Sequence, residues 1–316
     1  MSEIESGNAA SKRLRAELDR LSGGRPWSRQ TYLRDGVFTV GDRPSATDFR
    51  LRWLLQLASD ATRGNLGGLR VLDLGCEEGH FGLEFARHGA EVVAVDARES
   101  HLRRARFMAE AVGATGYEAI AADVRTLDAG ELGQFDLILC LGLHYHLYTP
   151  ELFEFFATLS RLCRWAVHLY GQCSLVAREA RTFNGHEYWG KPVFEHSVAS
   201  TSEDRLEQGL ASVDNVESFW LTKPSTINLL ADNAFTSVCE HVYPRTELRH
   251  EDRLDLLAFK GVEAEVLGMP GSLGAARPRW PEHERQGRDP VHTLGGRLRD
   301  CVRRSGLGAR LRRRSR

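Results

Sequence analysis

The chain lacks any run of 18 consecutive apolar residues, so nothing in it reads as a membrane-spanning helix. Its opening, MSEIESGNAASKRLRAELDR, also lacks the apolar centre of a secretion signal. These absences lead us to expect a soluble, cytoplasmic protein. Cysteine is sparse: Cys76, Cys140, Cys163, Cys173, Cys239 and Cys301 are scattered, with no CxxC pair. That argues against a disulfide framework or a Cys-based zinc site and leaves small buried hydrophobes in a reducing compartment. No internal repeat is visible. No spacing such as HxxxH with a nearby carboxylate stands out, so we expect no metal site. The phosphate-cradling patterns GxGxxG and GxxxxGK[ST] are missing from the one glycine-punctuated turn that follows a strand.

What is present is 316 residues with 42% apolar content, enough for one large domain with appendages. The net charge of −1 hides an asymmetry. From Gly268 onward there are 13 Arg and four acids, a balance of +9, which leaves the first 267 residues at −10. The segment GMPGSLGAARPRWPEHERQGRDP, rich in Gly, Pro and charge, reads as a linker, so 267–316 is expected to be a flexible basic tail. Leu294, Leu298, Val302 and Leu311 fall on a ragged helical face, open to either a solvated tail or a polyanion or membrane-surface contact.

Between these ends, apolar runs alternate with helical spacing. LRVLDL (69–74), EVVAVD (91–96), YEAIAAD (117–123), FDLILCLG (135–142) and RWAVHLY (164–170) read as strands, several too continuously apolar for a solvated face. HFGLEFARHG, ESHLRRARFMAEAVG and PELFEFFATLSRL have helical periodicity, and SATDFRLRWLLQLASDA precedes them as an amphipathic helix capped by Ser45 or Thr47. We therefore expect an α/β fold, doubly wound around a mostly parallel seven-stranded sheet. TSVCEHVY and RLDLLAFKG supply an antiparallel edge hairpin, and about 171–222 is an insert in which Asn184-Gly185 predicts a type I′ turn. The expected organisation is an extension over 1–44, a domain over 45–266 and the tail.

In such sheets ligands bind outside the carboxyl ends of the strands. VLDLGCEEGHFG places Asp73 at the end of the first strand and Gly75 and Gly79 in the turn after it. Asp73, Glu77 and Glu78 make the turn hostile to pyrophosphate and suited to a cationic group. VVAVDAR ends in Asp96, a carboxylate able to accept from both hydroxyls of a ribose. In AADVRTL, Asp123 suits an exocyclic adenine amine and the Val124 N–H its ring. Each acid also has a plain alternative, as a helix cap or a strand-end loop residue.

With FDLILCLGLHYHL, these stretches resemble, in order and spacing, the successive motifs of class I S-adenosylmethionine-dependent methyltransferases, over roughly residues 66–260. The resemblance implies a Rossmann-like fold and S-adenosylmethionine as cofactor. It implies Gly75 and Gly79 at the methionine end with Asp73 nearby, Asp96 on the ribose, Asp123 and Val124 on the adenine, and Leu141 lining the site. Glu77 departs from the family, where many members have glycine. GLHYHL is similar to the GVLYH form seen in the tRNA wobble-uridine carboxymethyltransferases and in many small-molecule and sugar methyltransferases. Tyr145 and His146 match it and His144 replaces an apolar residue.

The family position of that motif faces the transferred methyl, which makes His146, His144 and Tyr145 the catalytic candidates, with His146 first as base. FNGHEYWGKPVFEH offers His186, Glu187, Tyr188 and Trp189 as a substrate lid or, equally, as a structural hairpin. The expected activity is methyl transfer, without metal, to a small or medium polar acceptor such as a natural product, sugar or other metabolite. The alternatives are a wobble-uridine-type RNA enzyme, which the acidic body disfavours, and an inert methyltransferase-fold binding protein.

Overall fold

The computed structural model of the protein describes residues 2–42, 49–241, 251–273 and 275–282. The Ser45 and Thr47 caps, Cys301 and the apolar face at 294–311 lie outside them. The helices are α1 (Ser2–Ser22), α2 (Phe49–Ala61), α3 (His80–Arg87), α4 (Glu99–Val112), α5 (Ala129–Leu132), α6 (Glu151–Leu162), α7 (Ser202–Glu207) and α8 (Lys223–Asp232). The strands are β1 (Arg70–Leu74), β2 (Glu91–Asp96), β3 (Tyr117–Ala121), β4 (Phe135–Leu141), β5 (Cys163–Gln172), β6 (Glu179–Phe183), β7 (His186–Phe194), β8 (Glu217–Leu221), β9 (Phe235–Glu240) and β10 (Arg253–Lys260).

Seven strands form one sheet in the order β3-β2-β1-β4-β5-β10-β9. The first five are parallel, and β10 runs antiparallel to both β5 and β9. The central strands β1, β2 and β4 are largely apolar because both faces are covered, whereas the edge strands β3 and β9 are partly exposed. In β4, Leu137 and Leu139 pack with Leu54 of α2 and Phe81 and Phe85 of α3, while Ile138 and Cys140 join Phe153, Phe156 and Leu159 of α6 on the other face. Among the described residues no helix is long and apolar enough to cross a membrane.

The insert is a separate three-stranded antiparallel sheet, β6-β7-β8. Asn184 and Gly185 both adopt positive φ at its tip, as the type I′ reading requires. β8 is tied to the turn that follows β4 by a bond from the Phe219 N–H to the Leu147 carbonyl. This small sheet therefore stands over the carboxyl end of the large one.

Two expectations about the ends are corrected. The N-terminal extension is part of the body: Leu14, Leu18, Trp27, Leu33 and Val37 form a core with Leu83, Met108 and Ala109. The described part of the tail also packs, although its Gly and Pro content predicts otherwise. The Trp280 N–H donates to the Asn228 side chain (2.8 Å), Arg279 pairs with Asp232 (2.7 Å), and Glu282 accepts from the Thr222 and Ser225 hydroxyls (2.8 and 2.6 Å). Those contacts put a carboxylate at the start of α8, where unpaired N–H groups and the helix dipole favour negative charge. Pattern-based reading missed this because the partners are hydrogen bonds and ion pairs, not an apolar stripe.

Candidate active site

β1 ends at Asp73, and the chain turns through Gly75, φ +66°, into α3. Asp73 is 2% exposed and its carboxylate accepts from the Gly82 N–H at 2.9 Å. Burial, opposed by that bond and reinforced by the nearby Asp96, pushes its carboxyl up to about 7. Among the described residues no Lys or Arg pairs with it, so it retains the capacity to compensate a cation.

Gly79 and Glu77 explain the loop chemistry. Gly79 sits at φ +81°, and a β-carbon there would collide with the Tyr117 hydroxyl. Glu77 adopts φ +52°, so the position where many family members carry glycine keeps a glycine-like backbone here at a cost of about 1 kcal/mol. Its N–H donates to Asp96 at 3.0 Å. Glu78, however, does not face a ligand. It is buried against Arg104 (2.6 Å) and accepts from the Ser28 N–H and hydroxyl, which fastens the N-terminal segment to α4. Of the three acids expected to favour a cation, Asp73 and Glu77 therefore remain the candidates.

Asp96 ends β2, nearly buried, and accepts from the Glu77 and Arg98 N–H groups with His101 Nδ1 at 3.1 Å. Those contacts orient the carboxylate and leave oxygen lone pairs for a diol. Asp123 caps the turn at Val124–Thr126 and is gripped by Arg125, which also reaches Asp214 at 2.7 Å. Burial would raise the Asp123 carboxyl, but its bonds with Arg125 outweigh that and hold it below the usual range. Any adenine amine has to share Asp123 with Arg125. Val124 is buried beside it, and Leu141 ends β4 half-buried.

Arg98, unremarked in the sequence, fastens a cover over Asp96. Its guanidinium donates to the carbonyls of Leu206 (3.1 Å), Gln208 (3.1 Å) and Ala211 (2.9 Å). The segment 205–212 thereby closes over the end of β2.

His144–His146 form a 3₁₀ turn directly after β4. Gly171 lacks the β-carbon that would strike the His144 and Tyr145 rings, so both fit against β5. His144 is 3% exposed and lies edge-on to Tyr145 and Phe156. Burial, with His146 nearby, lowers it to about 3, which keeps it neutral and makes it a wall residue and a poor proton acceptor. His146 is different: its Nδ1 stands 3.0 Å from Glu195 Oε2, whose side chain is fully buried. Ser218 Oγ donates to Glu195 at 2.8 Å, and Asn215 bonds the His146 carbonyl. Tyr145 lies 4.3 Å from the His146 ring and 6.0 Å from Trp220 of β8.

Glu195 and Trp220 escaped the sequence reading. Glu195 lies in the FNGHEYWGKPVFEH stretch but was not singled out there, Trp220 lies in no motif, and both arrive from the insert. The insert's proposed substrate contacts are corrected in part. Tyr188 is buried, its ring tilted against Phe153 and its hydroxyl donating to Asp232 at 2.6 Å; it holds β7 to α8. The Trp189 N–H donates to Ser225, and its ring is half-buried. His186 and Glu187 are exposed at the hairpin tip.

This arrangement has counterparts. Residues 71–165 match a family described as a methyltransferase domain. The N-terminal domain of EvdMO1, solved in the presence of SAH and D-fucose, aligns with 79% of this chain and 97% of that one, at 26% identity and a TM-score of 0.58. Residues 71–165 thus carry a methyltransferase domain, and the fold is that of the class I S-adenosylmethionine-dependent methyltransferase superfamily. Within that superfamily the chain is also similar to ubiquinone biosynthesis O-methyltransferases. It is 34% identical over 32% of its length to that of Acinetobacter baylyi, and 30% identical over 43% to that of Bordetella avium. The aligned part amounts to 40% and 52% of those proteins. The match thus covers the cofactor half of the methyltransferase fold, and the insert that forms the upper wall lies beyond the family match.

Proposed function

We propose that this protein is an O-methyltransferase acting on a hydroxyl of a small polar acceptor, of sugar or natural-product type, with His146 as base. The observation that carries the reading is the His146–Glu195 pair at the carboxyl end of β4, beneath β8. Support comes also from the similarity to a domain solved with SAH and D-fucose and to proteins named O-methyltransferases.

The residues suit S-adenosylmethionine. Asp73 is a buried carboxylate without a cationic partner among the described residues, suited to the ammonium end, and Asp96 has spare acceptor capacity for the ribose. When bound, the cofactor supplies a methyl group made electrophilic by its sulfonium. The protein's task is then alignment and proton removal. Alignment of this kind contributes about 7–11 kcal/mol. His146 accepts the hydroxyl proton as the acceptor oxygen bonds to carbon, and the buried Glu195 carboxylate stabilises the imidazolium so formed. Tyr145, half-buried and backed edge-on by the buried Trp220 ring, supplies an aromatic face on which a sugar-like ring can rest.

Incubation with methyl-labelled S-adenosylmethionine and a panel of sugars, phenols, RNA and extract metabolites tests this. Label in a hydroxyl of a small acceptor is the expected result; label in RNA alone, or none with cofactor bound, overturns it.

A further inference from the structure

A second cluster lies on the opposite face of β5. His168 and Tyr170 point toward α2, whereas Gly171 meets His144 and Tyr145 on the other side. Asp255 of β10 is in register with Tyr170, and the His241 N–H donates to the Asp255 carbonyl as the chain leaves β9. One nitrogen of His168, one of His241 and one Asp255 oxygen all lie within 4.8 Å of one another. His168 and Asp255 are buried, at 2% and 6% exposure, and His241 is half-buried under the Trp53 ring, 5.0 Å away.

Charge balance makes the cluster unusual. A buried carboxylate needs a compensating cation, and Asp255 has no Lys or Arg partner among the described residues. Its Oδ1 bonds His168 Nε2 at 2.5 Å, and its Oδ2 makes no hydrogen bond among the described residues. Two imidazoles and one carboxylate are the donors of borderline divalent ions, with bonds of about 2.0–2.2 Å to zinc. At that bond length two donors stand about 3 Å apart, so ligation replaces the His168–Asp255 proton and opens that pair slightly, or uses Oδ2.

We propose that His168, His241 and Asp255 form a binding site for one divalent transition-metal ion, with zinc as the best match, that pins the β9–β10 hairpin to β5. It lies across the sheet from His146, so its role is to hold the edge of the fold, with water completing the coordination. It stands independently of the proposed methyl transfer.

The test uses the untagged full-length chain, stripped with chelator and titrated with Zn²⁺ against a chromophoric competitor. One equivalent binding more tightly than about 1 μM, and a melting temperature raised by Zn²⁺, are expected. His168→Gln keeps a donor for Asp255, and Asp255→Asn keeps its shape; each should weaken binding at least tenfold. Co²⁺ loaded into the wild type should show the visible absorption of a nitrogen- and oxygen-ligated ion, lost in His241→Ala. Retained circular dichroism and S-adenosylmethionine affinity in the variants separate site loss from unfolding. No stoichiometric Zn²⁺ binding, or binding unchanged in folded variants, overturns the proposal and leaves a hydrogen-bonded His–Asp–His cluster.

Discussion

His146 and Glu195 stand 3.0 Å apart, although one follows β4 of the large sheet and the other follows β7 of the small one. His146→Ala should lower turnover by about 10²–10⁴-fold with cofactor affinity within a few-fold of wild type. Glu195→Gln, which preserves the size of the side chain, should lower turnover by about tenfold or more with the same affinity. Steady-state kinetics beside cofactor calorimetry decide it. Full turnover in either variant would remove that residue from proton transfer. His144→Asn is expected to cost stability more than turnover, since His144 is a neutral wall group.

Asp73 ties cofactor affinity to pH. Its folded value, about 7, lies above the 3.8 of an unperturbed aspartate. Folding therefore favours the protonated form; this contribution is complete below about pH 4 and is lost as pH rises through 7. Without cofactor, Asp73→Asn should exceed wild type in stability at pH 8, by at most about 4 kcal/mol. A cationic ligand prefers the ionised carboxylate, so wild-type affinity for S-adenosylmethionine should rise between about pH 6 and 8, and Asp73→Asn should lose that rise. Calorimetric titrations across that range supply the check, and an unchanged slope in the variant would place the cation elsewhere.

Arg98 should control the cover over Asp96. Charge-assisted bonds contribute about 1.5–3 kcal/mol each, and Arg98→Met removes several at once. Limited proteolysis should then cut within 205–212 about 10–10²-fold faster, while circular dichroism stays unchanged. Equal cleavage of both proteins would show that other contacts hold the segment.

The tail should divide at Glu282. A chain ending there should keep the melting temperature of the full protein. A chain ending at Val266 loses the Trp280, Arg279 and Glu282 contacts with α8 and should be less stable by about 1–4 kcal/mol. Thermal melts of the two truncations distinguish these outcomes.

Much of this protein was legible in its sequence because the signals were local. Apolar runs in β1, β2 and β4 announced strands covered on both faces. The strand-end acids Asp73 and Asp96 followed from their place after those runs, and Asn184-Gly185 specified its own turn through backbone preferences that act within two residues. The tertiary structure alone decided which side chains share a volume. It placed Glu195 against His146, sent Glu78 to Arg104 and Tyr188 to Asp232, and gathered His168, His241 and Asp255 from three separate strands or strand ends. A charged or polar group carries no periodicity that names its partner. Its cost when buried is settled only where strands from distant parts of the chain meet, and there the pairing is enforced by desolvation.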